Sequence, residues 1–75
     1  MEKPSKKRLA SLEDNGRIAV LADGSAWLID PDHRKRVSRW KIGARVHVSQ
    51  AGQPESILTN ADISEDARAA YAGQR

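Results

Sequence analysis

Apolar positions gather in three stretches of the chain in patterns that predict strands. The first is Ile18 to Ile29, two apolar runs separated by Asp23-Gly24, a short-range hairpin signal. A two-residue type I′ turn at Asp23-Gly24 would set Ala22 opposite Ser25, Val20 opposite Trp27 and Ile18 opposite Ile29. Ile18, Val20, Trp27 and Ile29 then form the core face, and Ala19, Leu21, Ala26 and Leu28 the other. Arg17 and Asp30 would close the open end as an ion pair. The second stretch, Ala44 to Ser49, alternates strictly, which predicts a strand with Val46 and Val48 inward and Arg45, His47 and Ser49 outward. The third, Glu55 to Thr59, predicts another strand, with its register open because Ile57 and Leu58 are both apolar.

Helical signals occupy the gaps. Asp30-Pro31-Asp32 reads as a helix start: Asp30 can accept from free amides, Pro31 has a fitting φ, and Asp32 lies at the positive end. Val37 and Trp40 share one face of the short helix this predicts, leaving Arg34, Lys35, Arg36 and Arg39 mostly outward, and Ile42-Gly43 ends it. Leu9 and Leu12, three apart, predict a helical turn before an Asn15-Gly16 turn. Asp62 and Glu65 fit a capping box, and with Ala67, Ala69 and Ala70 following, a terminal helical turn is expected until Gly73. Gln50 to Pro54 reads as a loop.

The expected fold is therefore all-β: a four- to five-stranded antiparallel meander closing into a small barrel, Src-homology-3-like or OB-like, with a helical crossover and short helical ends. The expected division is a basic, partly flexible arm over residues 1–15 and one barrel domain over 16–75. A chain of 75 residues buries only about 60% of its unfolded surface and supports one core. It has no Cys and no Phe, so disulfides and thiolate metal cages are excluded and Trp27 and Trp40 must be the large core pieces. No apolar run is long enough to span a bilayer and no apolar central region of a signal peptide is present, which predicts a cytoplasmic protein without a membrane partner.

The spacing Asp23-Gly24-Ser25-x-Trp27, then Val37-x-x-Trp40-x-x-Gly43-x-x-Val46, and finally Leu58-Thr59-Asn60 resembles a group of small bacterial proteins of unassigned function. They share a DGS-x-W hairpin and a W-x-x-G-x-x-V crossover. The resemblance spans about Arg17 to Asn60. It implies a small meandering β-barrel and brings no catalytic or binding residue with it. The chain departs from the group at Arg45, where an acidic residue is common, and in its basic crossover.

Charge narrows the function classes. The net charge is +3 and thirteen residues are Lys or Arg, ten of them in two clusters: Lys3, Lys6, Lys7 and Arg8, then Arg34, Lys35, Arg36, Arg39, Lys41 and Arg45. The arm could follow a phosphate backbone or be a solvated terminus. The crossover could bind a polyanion around Trp40, although Trp40 ends an amphipathic turn and is better accounted for as core. His33 and His47 lie on separate elements, and capping accounts for Asp30 and Asp32, so neither a metal site nor an acid–base pair is indicated. No phosphate loop, nucleophile elbow or zinc spacing occurs. No enzyme, cofactor or small-molecule substrate is expected. What remains is a binding module: a protein partner accepted at an unpaired strand edge is the first expectation. Nucleic acid is the alternative, bound through Lys6, Lys7, Arg8, Arg34, Lys35, Arg36, Arg39, Lys41 and Arg45.

Overall fold

A computed structural model of the chain describes residues 6–50 and 55–74. Six strands, β1 (Lys6–Glu13), β2 (Ile18–Leu21), β3 (Ser25–Ile29), β4 (Arg45–Gln50), β5 (Glu55–Asn60) and β6 (Glu65–Gln74), close into an antiparallel barrel in the order β1-β2-β3-β6-β5-β4. One helix, α1 (Arg34–Val37), follows a 3₁₀ turn at Pro31–His33. The all-β barrel is as the pattern predicts, with six strands in place of four or five. They are arranged as two three-stranded meanders, joined by the crossover and sealed by the seams β1–β4 and β3–β6. Those seams lie opposite each other in the closed order.

The hairpin register differs from the expected one by a single residue. Ile18 pairs with Leu28, Ala19 with Trp27 and Val20 with Ala26. The loop is Ala22–Gly24, three residues long: the Gly24 N–H donates to the Leu21 carbonyl at 2.9 Å. Gly24 alone of the central pair has positive φ (88°), the pattern of a type I turn closed by a glycine bulge. Asp23 contributes through its carboxylate, which accepts from the Ser25 N–H (3.0 Å) and hydroxyl (2.6 Å). A one-residue slip reverses a strand's faces, so β2 turns Ala19 and Leu21 into the central core and puts Ile18 and Val20 on the other face, where Val20 is still buried. Trp27 and Ile29 point inward as expected. The Arg17–Asp30 ion pair is not formed. Arg17 offers its carbonyl to the Ile29 N–H instead, and Asp30 accepts from the Asp32 N–H at 2.9 Å, as its capping role requires.

Both expected helical ends are strands. Leu9 is inward on β1 and almost fully buried, and β1 pairs with β4 over Lys6–Arg8 and with β2 over Leu9–Glu13, so residues 6–13 of the expected arm belong to the barrel. Residues 1–5 lie outside the described residues, as does most of the expected 50–54 loop. At the other end, β6 pairs with both β5 and β3. Helix propensity differences of a few tenths of a kcal/mol per residue give way to two ladders of hydrogen bonds. The alanines serve packing: Ala67 and Ala69, two apart, are inward and buried where larger side chains would meet the rest of the core. Asp62 and Glu65 make no capping box. Asp62 accepts from Arg45, and Glu65 accepts from the Trp40 indole N–H at 2.7 Å.

The core runs from the barrel axis to its cap. Leu9, Leu21, Trp27, Ile29, Val46 and Leu58 fill the barrel, and Val37 and Trp40 cover one end, with Leu12 and Val48 packed against them. Leu58 resolves the open register of β5, since it is inward and Ile57 is not. The cap is seated by Gly16. The turn Asp14–Gly16 runs through positive φ at all three residues (52°, 58° and 90°), and a Cβ on Gly16 would lie 2.5 Å from the Arg34 carbonyl oxygen.

Candidate nucleic-acid interface

The barrel brings together residues that the chain keeps apart. Because β1 is a strand, its outward Arg8 is the direct cross-strand partner of Arg45 on β4, and Lys6 is the partner of His47. The basic arm and the basic crossover thus meet on one seam. Arg8 is exposed and its guanidinium donates to the Gly43 carbonyl at 2.9 Å, which ties β1 to the segment carrying Lys41. The Gly43 N–H in turn donates to the Leu9 carbonyl at 2.7 Å. Arg45 is also exposed and donates to Asp62 at 2.9 Å. That hydrogen bond holds the Asp62 carboxyl below its ordinary pKa, with the more distant Arg8 charge assisting. Like charges directly opposite on a sheet are destabilising. Arg8 and Arg45 are tolerated because each is held by an acceptor of its own.

The remaining predicted cations divide into engaged and unengaged groups. Lys7 follows the inward side of β1 to the barrel mouth and pairs with Asp23, whose carboxyl is lowered from 3.8 to about 2, first by that hydrogen bond and then by those from Ser25. Ser25 accepts from the Trp27 indole N–H at 2.9 Å, and Trp27 meets Tyr71 edge to face at 5.3 Å. Lys7 therefore belongs to the network that closes the mouth and not to the basic seam. Arg34 donates through Nε to the Ile29 carbonyl at 3.2 Å. Arg36 donates to the Asp66 carbonyl at 2.7 Å and lies 4.0 Å from Glu65. These two stitch the cap to the barrel. Among the described residues, the side chains of Lys35, Arg39, Lys41 and Arg17 have no hydrogen-bond or ion-pair partner.

Exposed cations are thus found at Arg8 and Arg45 on the seam, at Lys41 in the segment leading to β4, and at Lys35 and Arg39 on and just after α1. Arg17 follows Gly16, which is pressed against α1. The period-two spacing of Lys6 and Arg8 was the signal that could have placed them on one strand face, but it is masked by the adjoining Lys7. His33 accepts at Nδ1 from the Arg68 N–H (2.9 Å). Among the described residues no three His, Asp or Glu side chains gather in a way that could hold a metal ion. No helix of the described residues is long and apolar enough to cross a membrane.

Fold and face together define a small closed antiparallel barrel with a helical cap and one basic seam. No family model, curated protein or solved structure matches the chain.

Proposed function

We propose that the chain is a non-enzymatic binding module whose β1–β4 seam attaches to the phosphate backbone of nucleic acid in the cytoplasm. The observation that supports this is the Arg8/Arg45 cross-strand pair. The two guanidiniums stay adjacent and exposed, each oriented by its own acceptor, so a polyanion lying along the seam meets both charges at once. The closed order gives each strand a neighbour on both sides, so this reading rests on the exposed charge of the seam and not on a strand edge.

Tyr71 is the exposed aromatic, and it sits at the barrel mouth beside Trp27, away from the cap. Base stacking is thus not built into the seam, and binding rests on charge and is indifferent to sequence. The test is a salt titration against a labelled 20-base-pair duplex. Engagement of three or four phosphates gives a slope of about −3 in log K against log salt, and Arg8→Gln with Lys41→Gln lowers its magnitude by about 2. Binding with no salt dependence, or a slope unaltered in the double variant, overturns the proposal.

A further inference from the structure

On the seam opposite the basic one, β3–β6, we infer a second docking surface, for an acidic segment of a partner protein that carries an aliphatic side chain beside a carboxylate. The seam presents an open groove of about 290 Å³ between the β3–β6 ladder and the turn that leads into α1. Its apolar lining is Leu28, paired across the seam with Ala70, together with Pro31. Leu28 lies on the outer face of β3, between the inward Trp27 and Ile29, and is 39% exposed. The volume falls just below that of small-molecule sites, about 300 to 1,000 Å³, and suits one or two side chains.

Charge selects the occupant. Arg34 and Arg68 line the groove with Asp30. One oxygen of the Asp30 carboxylate caps the Pro31–His33 turn, and the two arginine charges outnumber its single negative one. Arg34 is half-buried and lines the groove, and its Nε is anchored on the Ile29 carbonyl at 3.2 Å, which restricts the guanidinium while its outer nitrogens have no other partner among the described residues. A pre-oriented guanidinium recognises a carboxylate with both charge and geometry, and ordering it beforehand lowers the entropy lost on binding. The floor offers aliphatic side chains and proline and no aromatic face, so it suits a protein side chain and not a stacked base. This surface is independent of the β1–β4 seam and lies on the other side of the closed order.

The test is amide chemical-shift mapping with two blocked pentapeptides, glycine-leucine-glutamate-leucine-glycine and its glutamine counterpart. The expected result is movement at residues 28–31, 34 and 68–70 with the glutamate peptide, at least about tenfold weaker binding of the glutamine peptide, and loss of both on Leu28→Ala. Leu28→Ala removes an exposed side chain, so its spectrum should keep the dispersion of the folded parent. Arg34→Gln should make the two peptides equivalent, and Lys35→Gln should change neither. Absence of movement at millimolar peptide, equal binding of the two peptides by the parent, or movement confined to other residues overturns the inference. So does movement of these same amides with a 20-base-pair duplex, or with protein concentration alone, since the occupant would then be nucleic acid or a second copy.

Discussion

Gly16→Ala and Gly43→Ala form a matched pair that isolates how the cap is seated. The two glycines have nearly the same backbone conformation, φ 90° and 91°, so alanine incurs a similar left-handed strain at each, about 1 to 2 kcal/mol. Their surroundings differ. A Cβ at Gly43 meets nothing within 4 Å, whereas at Gly16 it would lie 2.5 Å from the Arg34 carbonyl oxygen and 2.8 Å from the Ser38 nitrogen. These are backbone atoms at the two ends of α1, and relief requires the whole cap to move by nearly an ångström. Such movement loosens Val37 and Trp40 from the core and adds an overpacking cost of about 1 to 3 kcal/mol. Gly16→Ala should therefore cost about 2 to 5 kcal/mol and Gly43→Ala about 1 to 2. For a domain this small the first value approaches the whole stability. Urea unfolding followed by tryptophan fluorescence reads both, since Trp40 lies in the cap and Trp27 in the barrel. Equal midpoints for the two variants would refute the close seating of α1 on the Asp14–Gly16 turn.

Two further outcomes follow from the barrel interior and its mouth. Trp27→Ala, removing a buried indole with its hydrogen bond to Ser25, should cost about 3 to 5 kcal/mol and leave the chain unfolded or nearly so; a cooperative melt within a few degrees of the parent would contradict its place in the core. Asp23→Asn should destabilise by less than about 1 kcal/mol at neutral pH, because Asp23 and Lys7 are partly exposed, at 39% and 29% of their side chains. The Asp23 carboxyl is lowered in the folded state, so its contribution is complete above the unfolded value near 3.8 and lost as pH falls to about 2. The stability gap between parent and variant should close over that window, and a gap that persisted at pH 2 would exclude the Lys7 pairing as its cause.

The strands with one clear alternating pattern were legible in the sequence, and so was the capped turn at Asp30-Pro31-Asp32. Val46 and Val48 face the core as their spacing dictates, and Val37 and Trp40 cover the barrel end. The hairpin was recognised but its register was not, because Asp-Gly is compatible with a two-residue turn and with the three-residue bulged loop that forms. The choice rests on Asp23 accepting from Ser25, a side-chain contact that periodicity does not register. The two terminal segments were misread for one reason. Leu9 and Leu12 at helical spacing, and the alanines after Glu65, carry local preferences worth little beside a barrel that needs a strand on each seam. Misplacing β1 also hid the candidate site, since Arg8 and Arg45 become neighbours only when that strand is in place. The division of the basic residues was not legible either, because Arg34 and Arg36 donate to backbone carbonyls, and Arg36 meets Glu65 only once β6 is in place.

The central claim is that the basic residues act as one face because β1 and β4 are paired, and a chemical-shift footprint of a 20-base-pair duplex on the protein tests it most directly. At low salt the amides of Arg8, Lys41, Gly43, Arg45 and His47 should move together, joined by Lys35 and Arg39, while residues 25–29 and 68–72 on the far side stay still; the movements should vanish as salt approaches physiological strength. A footprint on the cap alone, with Arg8 and Arg45 unmoved, would contradict the account and return the seam to a merely solvated surface.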